Sequence, residues 1–385
     1  MKIFIVHNKY LIRGGEDVVV EQEIDLLLKY SHKVEPIIVS NEQIKGLFSK
    51  LLTAFGMIFS FKYYDSIGKS IRDNASSVMH VHNTFPLISP SVFFRTKADN
   101  TPSILTLHNY RIICPTAILS FNGKASDRSV GNSTLWALKH KTYKNSYVGT
   151  LLLIFLIELH KKMGTWTNKV DAYICLTEFS KNKFIKAGLP ERKIHVKPNF
   201  IEDPSFDGNL LRHDRVVFVG RLSEEKGIQV LLDGWKYIDF QLDIFGEGSV
   251  DVSTNSKIFF LGLTPKTEVL QAIKSAQFVV VPSICYEGFP MAIVEAFACG
   301  TPVLCSRLGS MEEIVEDGVT GLHFEAGNAR DLAEKAQWLI DNPERAREMG
   351  QNARNEYLAK YTPEKNYEML MDIYQQAIDE AKKGQ

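Results

Sequence analysis

The chain has 385 residues and a mass of 43.6 kDa, room for two domains of about 150 to 200 residues, which excludes a disulfide miniprotein or a short binding module. Apolar residues at 45% and charged residues at 23% are ordinary globular values and leave no room for extensive disorder. The 45 basic and 45 acidic residues cancel overall but not locally: there are 27 against 15 up to Phe200, and 18 against 30 beyond it. The first half is therefore expected to meet an anionic partner, nucleic acid or anionic lipid, and the second half is not.

The opening MKIFIVHNKY holds only a short apolar stretch and no small-residue cleavage site, so no signal peptide is expected and the cytoplasm is the expected location. Short β-rich runs then alternate with helix-period stretches, the pattern of parallel sheets with helices on both faces. In the first half, strands are expected at 2–6, 34–39, 78–81, 104–107, 172–176 and 194–196, with a helix over 16–30. Two long, helix-like segments, 42–72 and 122–164, interrupt this rhythm with net charges of +3 and +5 and read as insertions. The longest apolar run, Tyr147 to Ile157, has 11 residues, well short of the roughly 20 that span a bilayer. A polar stretch from Pro198 to Asp214 reads as a linker. Strands follow at 216–219, 241–245, 258–261, 278–281 and 303–305, and an apolar stripe through Tyr367, Leu370, Ile373, Tyr374 and Ile378 predicts a last helix over 363–381. The five cysteines form no CxxC pair, and most sit in apolar runs, so they read as reduced core residues.

The densest chemistry lies in FVVVPSICYEGFPMAIVEAFACGTPVLCS, residues 278–306: strand, loop, a helix closed by Gly300, then strand. Pro290 suits the first turn, where its missing N–H would be unpaired anyway. The helix is expected to start near Gly288 to Met291, and the free amides of Gly288, Phe289 and Met291 would make an anion site beside Glu287, with Glu295 two turns on. A second string, VVFVGRLSEEKG, ends a strand at Gly220 and projects Arg221 and Lys226 at its carboxyl end, where an uncompensated pair of cations would suit a diphosphate and where pairing with Glu224 and Glu225 is the alternative. A third, Arg13-Gly14-Gly15, joins the first strand to the first helix, where glycines permit close backbone approach to a ligand; it is not the GxGxxG dinucleotide fingerprint. His108 follows the strand 104–107, at the carboxyl end where open α/β sheets bind ligands. His80 and His82 share one strand face, but no third ligand of suitable spacing is evident, so they read as core or cleft-lining residues. No D-x-D triplet occurs, so no metal-bridged diphosphate is expected, and Arg221, Lys226 and helix N-termini would neutralise a leaving group.

Residues 278–306 resemble the E-x7-E signature of retaining glycosyltransferases of family four. The resemblance extends through RGGED, TLHNYR, KPNFIE, VGRLSEEKG and YTPEKNYEML, in the family's order along nearly the whole chain. It implies an α/β GT-B fold: two facing Rossmann-like domains, 1–199 on the acceptor side and 200–363 binding the nucleotide sugar, with 364–385 as a helix crossing back onto the first. By the same resemblance Glu287 and the amides after it would hold the transferred sugar. Glu295 would bind the ribose, Arg221 and Lys226 the pyrophosphate, Gly14 and Gly15 would face the donor phosphates, and His108 would stand near the reacting centre. Base contacts would be backbone-made near 245–248 and 261–264. Family members carry cysteines in the insertion where this chain has Ser126, Ser129 and Thr142.

The function implied is a metal-independent, retaining transfer of a hexose from a nucleoside-diphosphate sugar to a hydroxyl of a lipid-linked glycan in cell-surface polysaccharide synthesis, with no further cofactor. A nucleotide-sugar epimerase or hydrolase of the same fold is the alternative, distinguished by turnover without an acceptor. On this reading the anionic partner of the first half is not nucleic acid but a membrane surface. Lys45, Lys50, Lys62 and Lys69 interleave with Leu47, Phe48, Leu51, Leu52, Phe55, Met57, Ile58 and Phe59, and Lys139, Lys141 and Lys144 precede the 147–157 run. Basic residues beside an apolar helical face suit a peripheral position on the cytoplasmic leaflet, the alternative being that both stretches pack on the first domain's core with their lysines solvated.

Overall fold

A computed structural model describes residues 1–11, 14–72, 77–205, 212–248 and 255–383. The chain divides into two compact units. One comprises Met1–Ala117, Asp127–Lys197 and Asn366–Gln385; the other comprises Ile118–Ser126 and Pro198–Lys365.

The first unit is built on six parallel strands: β1 (Lys2–Lys9), β2 (Lys33–Ser40), β3 (Ser77–Asn83), β4 (Ser103–Leu107), then β7 (Ala172–Cys175) and β8 (Ile194–Val196). Between β4 and β7, the two-residue strands β5 (Ser120–Phe121) and β6 (Lys124–Ala125) form a hairpin that belongs to the second unit. The sheet order is β2-β1-β3-β4-β7-β8, so the chain turns back between β1 and β3. β1 runs beyond its apolar stretch to Lys9 because it stays in register with β2 as far as Ser40; ladder pairing outweighs side-chain pattern at the strand end. One face buries Ile3, Ile5, Val78, Ile104 and Ile174 under Val20 and Leu27 of helix Gly15–Lys29 and under Leu370, Ile373, Tyr374 and Ala377 of helix Pro363–Lys383. The expected apolar stripe of the last helix is thus the face it buries.

The segment 42–72 folds as two helices, Gly46–Gly56 and Phe61–Arg72, and the later insertion contributes helix Tyr147–Lys162. Met57 of the first segment and Leu153 and Leu156 of the last pack in one small buried cluster. Leu51, Leu52 and Phe55 stay 54 to 66% exposed, as do Val148, Leu151 and Phe155 at 51 to 70%.

The second unit repeats the plan with β9 (Arg215–Val219), β10 (Gln241–Phe245), β11 (Ile258–Gly262), β12 (Phe278–Val281), β13 (Val303–Ser306) and β14 (Gly321–Phe324), ordered β11-β10-β9-β12-β13-β14 and all parallel. The β14 strand has no counterpart in the sequence reading: GLHF is short, carries a glycine, and gains its strand geometry from pairing with β13. The expected linker lies within this unit over 198–205 without regular structure, and its residues 206–211 fall outside the described residues. Each face of the sheet has a dense core, one around Phe297, Met311 and Tyr357, the other around Trp235, Phe324 and Leu332. Tyr357 and Trp235 are fully buried.

Candidate active site

In the second sheet the chain runs outward from β9 through β10 to β11, then returns to the other side of β9 for β12. Beyond the carboxyl ends of two such diverging strands the loops separate and leave a crevice, the usual ligand site of an open parallel sheet. The turn after β9 carries Arg221 and Lys226, and the loop after β12 carries Glu287. Helix Met291–Ala298 follows, with Pro290 as its N-cap residue rather than inside its first turn. Its other end closes as expected: Gly300 at φ +63° donates to Phe297 O, and Thr301 N donates to Ala296 O, the paired bonds of a Schellman cap.

Three turns are locked together here by glycines. Gly246 and Gly248 have φ of +138° and +157°, and a Cβ would stand 1.9 Å from Gly220 O at the first and 2.1 Å from Leu222 O at the second. At Gly227, φ +70°, a Cβ would stand 1.8 Å from Pro282 O. No side chain fits such approaches. Gly220 N and Leu222 N accordingly donate to Phe245 O and Glu247 O at 3.0 and 2.8 Å.

Arg221 and Lys226 do share this crevice mouth, but they are not an uncompensated pair. Arg221 Nη2 lies 3.2 Å from Glu225 Oε1, and Lys226 Nζ donates to Glu287 Oε1 at 2.7 Å. Carboxylates are drawn to cations wherever both would otherwise lose water. Burial raises the Glu287 pKa, but Lys226 and the Ser283 hydroxyl outweigh it and leave it below the ordinary range; burial lowers Lys226, and Glu287 outweighs that and leaves it raised. Both stay charged at neutral pH. Ser283 Oγ donates to the same Glu287 Oε1 at 2.6 Å, and Ser310 Oγ holds the Glu287 carbonyl at 2.7 Å. The carboxylate is therefore anchored through one oxygen, and its Oε2 remains for a ligand hydroxyl. Among the described residues the amides of Gly288, Phe289 and Met291 have no protein acceptor, while Phe289 packs edge-on against Tyr361. Glu295, 6% exposed, sits in the second turn of the helix and is met by Lys266, a cation the sequence reading did not single out.

In the first unit, Gly14 and Gly15 precede and open helix Gly15–Lys29, with Gly14 N donating to Asp17 Oδ2 at 2.9 Å. Gly14 is extended, and a Cβ at either glycine meets nothing within 4 Å. Arg13 lies outside the described residues. His108 follows β4, half-buried, stacked on His82 at 5.2 Å. Asn109 Nδ2 reaches Glu16 Oε2 at 3.4 Å, and its Oδ1 accepts from Arg111 N at 3.0 Å. Glu16, next to these, has a pKa pushed up to about 8 by burial and by the Asp17 charge.

The sequence reading missed Glu23. It lies on the helix stripe that also buries Val20 and Leu27, and a carboxylate on a core stripe is itself a signal. Its Oε1 is 2.9 Å from His80 Nδ1 and 3.3 Å from His82 Nε2. These three residues, all buried, bring one potential ligand atom each within 4.8 Å of one another. The expectation that His80 and His82 lack a third partner of suitable spacing is thereby corrected: the partner comes from a different element, 57 residues away in the chain.

Residues 41–203 match the family model Glycosyltransferase Family 4, and residues 205–356 match that of Glycosyl transferases group 1. An uncharacterised glycosyltransferase of Methanocaldococcus jannaschii is 29% identical over 322 residues, 81% of this chain and 79% of the relative. The amylovoran biosynthesis glycosyltransferase AmsK of Erwinia amylovora is 29% identical over 204 residues, 46% of this chain and 50% of AmsK. The crystal structure of Anabaena HepE in complex with UDP-glucose superposes with a TM-score of 0.65 at 17% identity, covering 98% of each chain, and shares the fold. Among the described residues no helix is long and apolar enough to cross a membrane.

Proposed function

Taking the chain as a GT-B glycosyltransferase similar to those of family 4, we propose that it transfers a hexose, with retention of configuration, from a nucleoside-diphosphate sugar to a hydroxyl of a lipid-linked glycan in cell-surface polysaccharide synthesis. The observation that carries this reading is Glu287, whose Oε1 is fixed by Lys226 and Ser283. A carboxylate held through one oxygen can accept sugar hydroxyls at the other without reorganising. Lys226 has three N–H groups, so donating to Glu287 leaves hydrogens for a diphosphate oxygen, and Arg221, 70% exposed at its side chain, is placed to swing onto a second. The amides of Gly288, Phe289 and Met291 add neutral donors at the start of the helix. Glu295 serves the ribose. For the first unit, the resemblance to family four assigns Gly14 and Gly15 to donor phosphate and His108 to the sugar.

In this reading the departing phosphate takes the acceptor's proton on the face from which it leaves, so no protein base is required. Cationic side chains and helix amides neutralise the developing charge in place of a metal. The donor class is supported by HepE, crystallised with UDP and with UDP-glucose, and the polysaccharide role by AmsK, an amylovoran biosynthesis enzyme. The reading places the enzyme on the cytoplasmic side, and a peripheral position on the membrane is supported by the exposed apolar residues of helices Gly46–Gly56 and Tyr147–Lys162 together with exposed Lys50 and Lys139. The test is a calorimetric comparison of UDP, GDP and their sugar conjugates, followed by anomeric analysis of the product by NMR. A product of inverted configuration would refute the retaining assignment, and turnover of the donor without an acceptor would favour an epimerase or hydrolase.

A further inference from the structure

The buried polar residues beneath His108 have no part in holding phosphate or sugar. Three of them, Glu23, His80 and His82, have the donor set of a metal site, but charge balance argues otherwise. Glu23 Oε2 takes Lys197 Nζ at 3.0 Å, and both side chains are 2% exposed. Asn366 Oδ1 accepts from the same ammonium at 3.0 Å. The carboxylate is therefore already neutralised, and a divalent cation would bring two uncompensated charges into a dry core. The cluster reads instead as a hydrogen-bond chain whose proton positions follow one from another.

Burial opposes ionisation of Glu23, but Lys197 outweighs it and the group stays charged. Its Oε1 and His82 Nε2 stand 3.3 Å apart, both fully buried and neither with a well-formed hydrogen bond. A bare nitrogen lone pair turned toward a carboxylate oxygen would repel it and leave both unsatisfied, so Nε2 carries the hydrogen. Burial lowers the His82 pKa to about 3 and that of His108 well below its ordinary value, so both rings are neutral and each holds one hydrogen. With its hydrogen on Nε2, His82 has only a lone pair at Nδ1. The atom facing that lone pair, at 2.9 Å, is His108 Nε2, which must donate. His108 Nδ1 then has no hydrogen, and among the described residues no protein group bonds to it.

We propose that Glu23 and His82 are positioning residues that fix His108 as its Nε2–H tautomer, so that the ring presents a bare Nδ1 able only to accept a hydrogen bond from a hydroxyl of the bound sugar. His80 Nδ1 lies 2.9 Å from the same Glu23 Oε1 and 2.8 Å from Tyr374 OH, and its Nε2 is 2.7 Å from Thr106 Oγ1. The proposal rests on the assignment of His108 to the sugar site, but its test does not.

Nitrogen NMR of the full chain labelled with 15N-histidine reads the tautomer directly, the His108 signals being identified by their loss in His108→Gln. In the parent, Nε2 is expected as the protonated, pyrrole-type nitrogen and Nδ1 as the bare, pyridine-type one. In Glu23→Gln, Lys197 can donate only to the amide oxygen, which turns the NH2 toward the imidazoles. His82 then accepts at Nε2 and donates from Nδ1, and His108 becomes Nδ1-protonated. His82→Asn, whose carbonyl oxygen stands near the old Nδ1, is expected to keep the parent tautomer at His108. His82→Leu is expected to give a mixture of the two, so the series remains informative if Glu23→Gln does not fold. A protonated Nδ1 in the parent, or an unchanged His108 in both Glu23→Gln and His82→Leu, overturns the proposal. One equivalent of bound transition metal in the purified parent, by elemental analysis, overturns it too. The expected spectra together with a His108→Gln enzyme of undiminished turnover would leave the tautomer chain standing and remove His108 from the sugar site.

Discussion

Lys226 and Glu287, 61 residues apart in the chain, meet at 2.7 Å and tie the turn after β9 to the loop after β12. The pair makes the proposed phosphate contact and the proposed sugar contact interdependent: removing either charge leaves the other buried and unbalanced.

Lys226→Ala is therefore expected to reduce donor affinity or turnover at least tenfold, consistent with the loss of a charge-assisted hydrogen bond worth about 1.5 to 3 kcal/mol. It should also raise the Glu287 pKa, because the cation that holds it down is gone. Arg221→Ala is expected to cost at least tenfold in donor affinity or turnover with a smaller rise of the Glu287 pKa, because Arg221 contributes less than Lys226 to holding it down. Isothermal titration with the nucleotide sugar and the pH dependence of turnover measure both effects. Parent-level transfer by two folded variants would remove the diphosphate from these side chains.

Turnover is expected to survive chelation. With Arg221, Lys226 and the amides of Gly288, Phe289 and Met291 around the leaving group, the proposed chemistry draws its positive charge from the protein. Rates with and without EDTA decide the matter: complete loss restored by magnesium or manganese would require a metal at the diphosphate.

Glu16 predicts a pH-dependent stability. Its pKa of about 8 in the folded chain lies above the ordinary value of 4.5, so between these limits the folded state holds a proton that the unfolded state has released. Stability then falls as pH rises through that window and levels off above it. Glu16→Gln, isosteric with the neutral acid, is expected to flatten this fall and to be more stable than the parent at pH 8.5, by on the order of a few kcal/mol at most. Urea midpoints at pH 5 and pH 8.5 test it, and equal pH slopes for parent and variant would show that Glu16 is ionised in the fold.

The membrane proposal predicts sedimentation with anionic liposomes at low salt and release as salt rises, since screening weakens surface charge attraction and leaves core packing untouched. Each lysine near such a surface contributes about 1 kcal/mol. Charge reversal at Lys45, Lys50, Lys139 and Lys141 is expected to abolish sedimentation with donor binding unchanged. No sedimentation of the parent at low salt would leave a soluble acceptor.

What was legible in the sequence was what neighbours along the chain determine. Strands such as 278–281 and 194–196 declare themselves by apolar runs, and the Gly300 cap by its place after a helical stripe. The long-range partners of the site residues were not legible, because each is set by strand order. Lys226 finds Glu287 only because β9 and β12 are adjacent. Glu295 finds Lys266, and Glu23 finds Lys197 across 174 residues. Glu225, the partner of Arg221, stands four residues on and was in view along the chain, whereas Glu287, the partner of Lys226, was supplied by strand adjacency.

The hairpin of β5 and β6 lies in sequence among elements of the first unit yet counts with the second, where a Cβ on Gly123 would come 2.5 Å from Glu224 Oε1. Cutting the gene near Phe200 thus does not yield two whole modules. A fragment beginning at Pro198 lacks nine residues of its own body, those covering Glu224 two residues before Lys226. Chimaeras that exchange the second unit between related enzymes at that single junction would leave a foreign hairpin lying on the turn that carries Arg221 and Lys226. A faithful exchange has to graft 118–126 along with it.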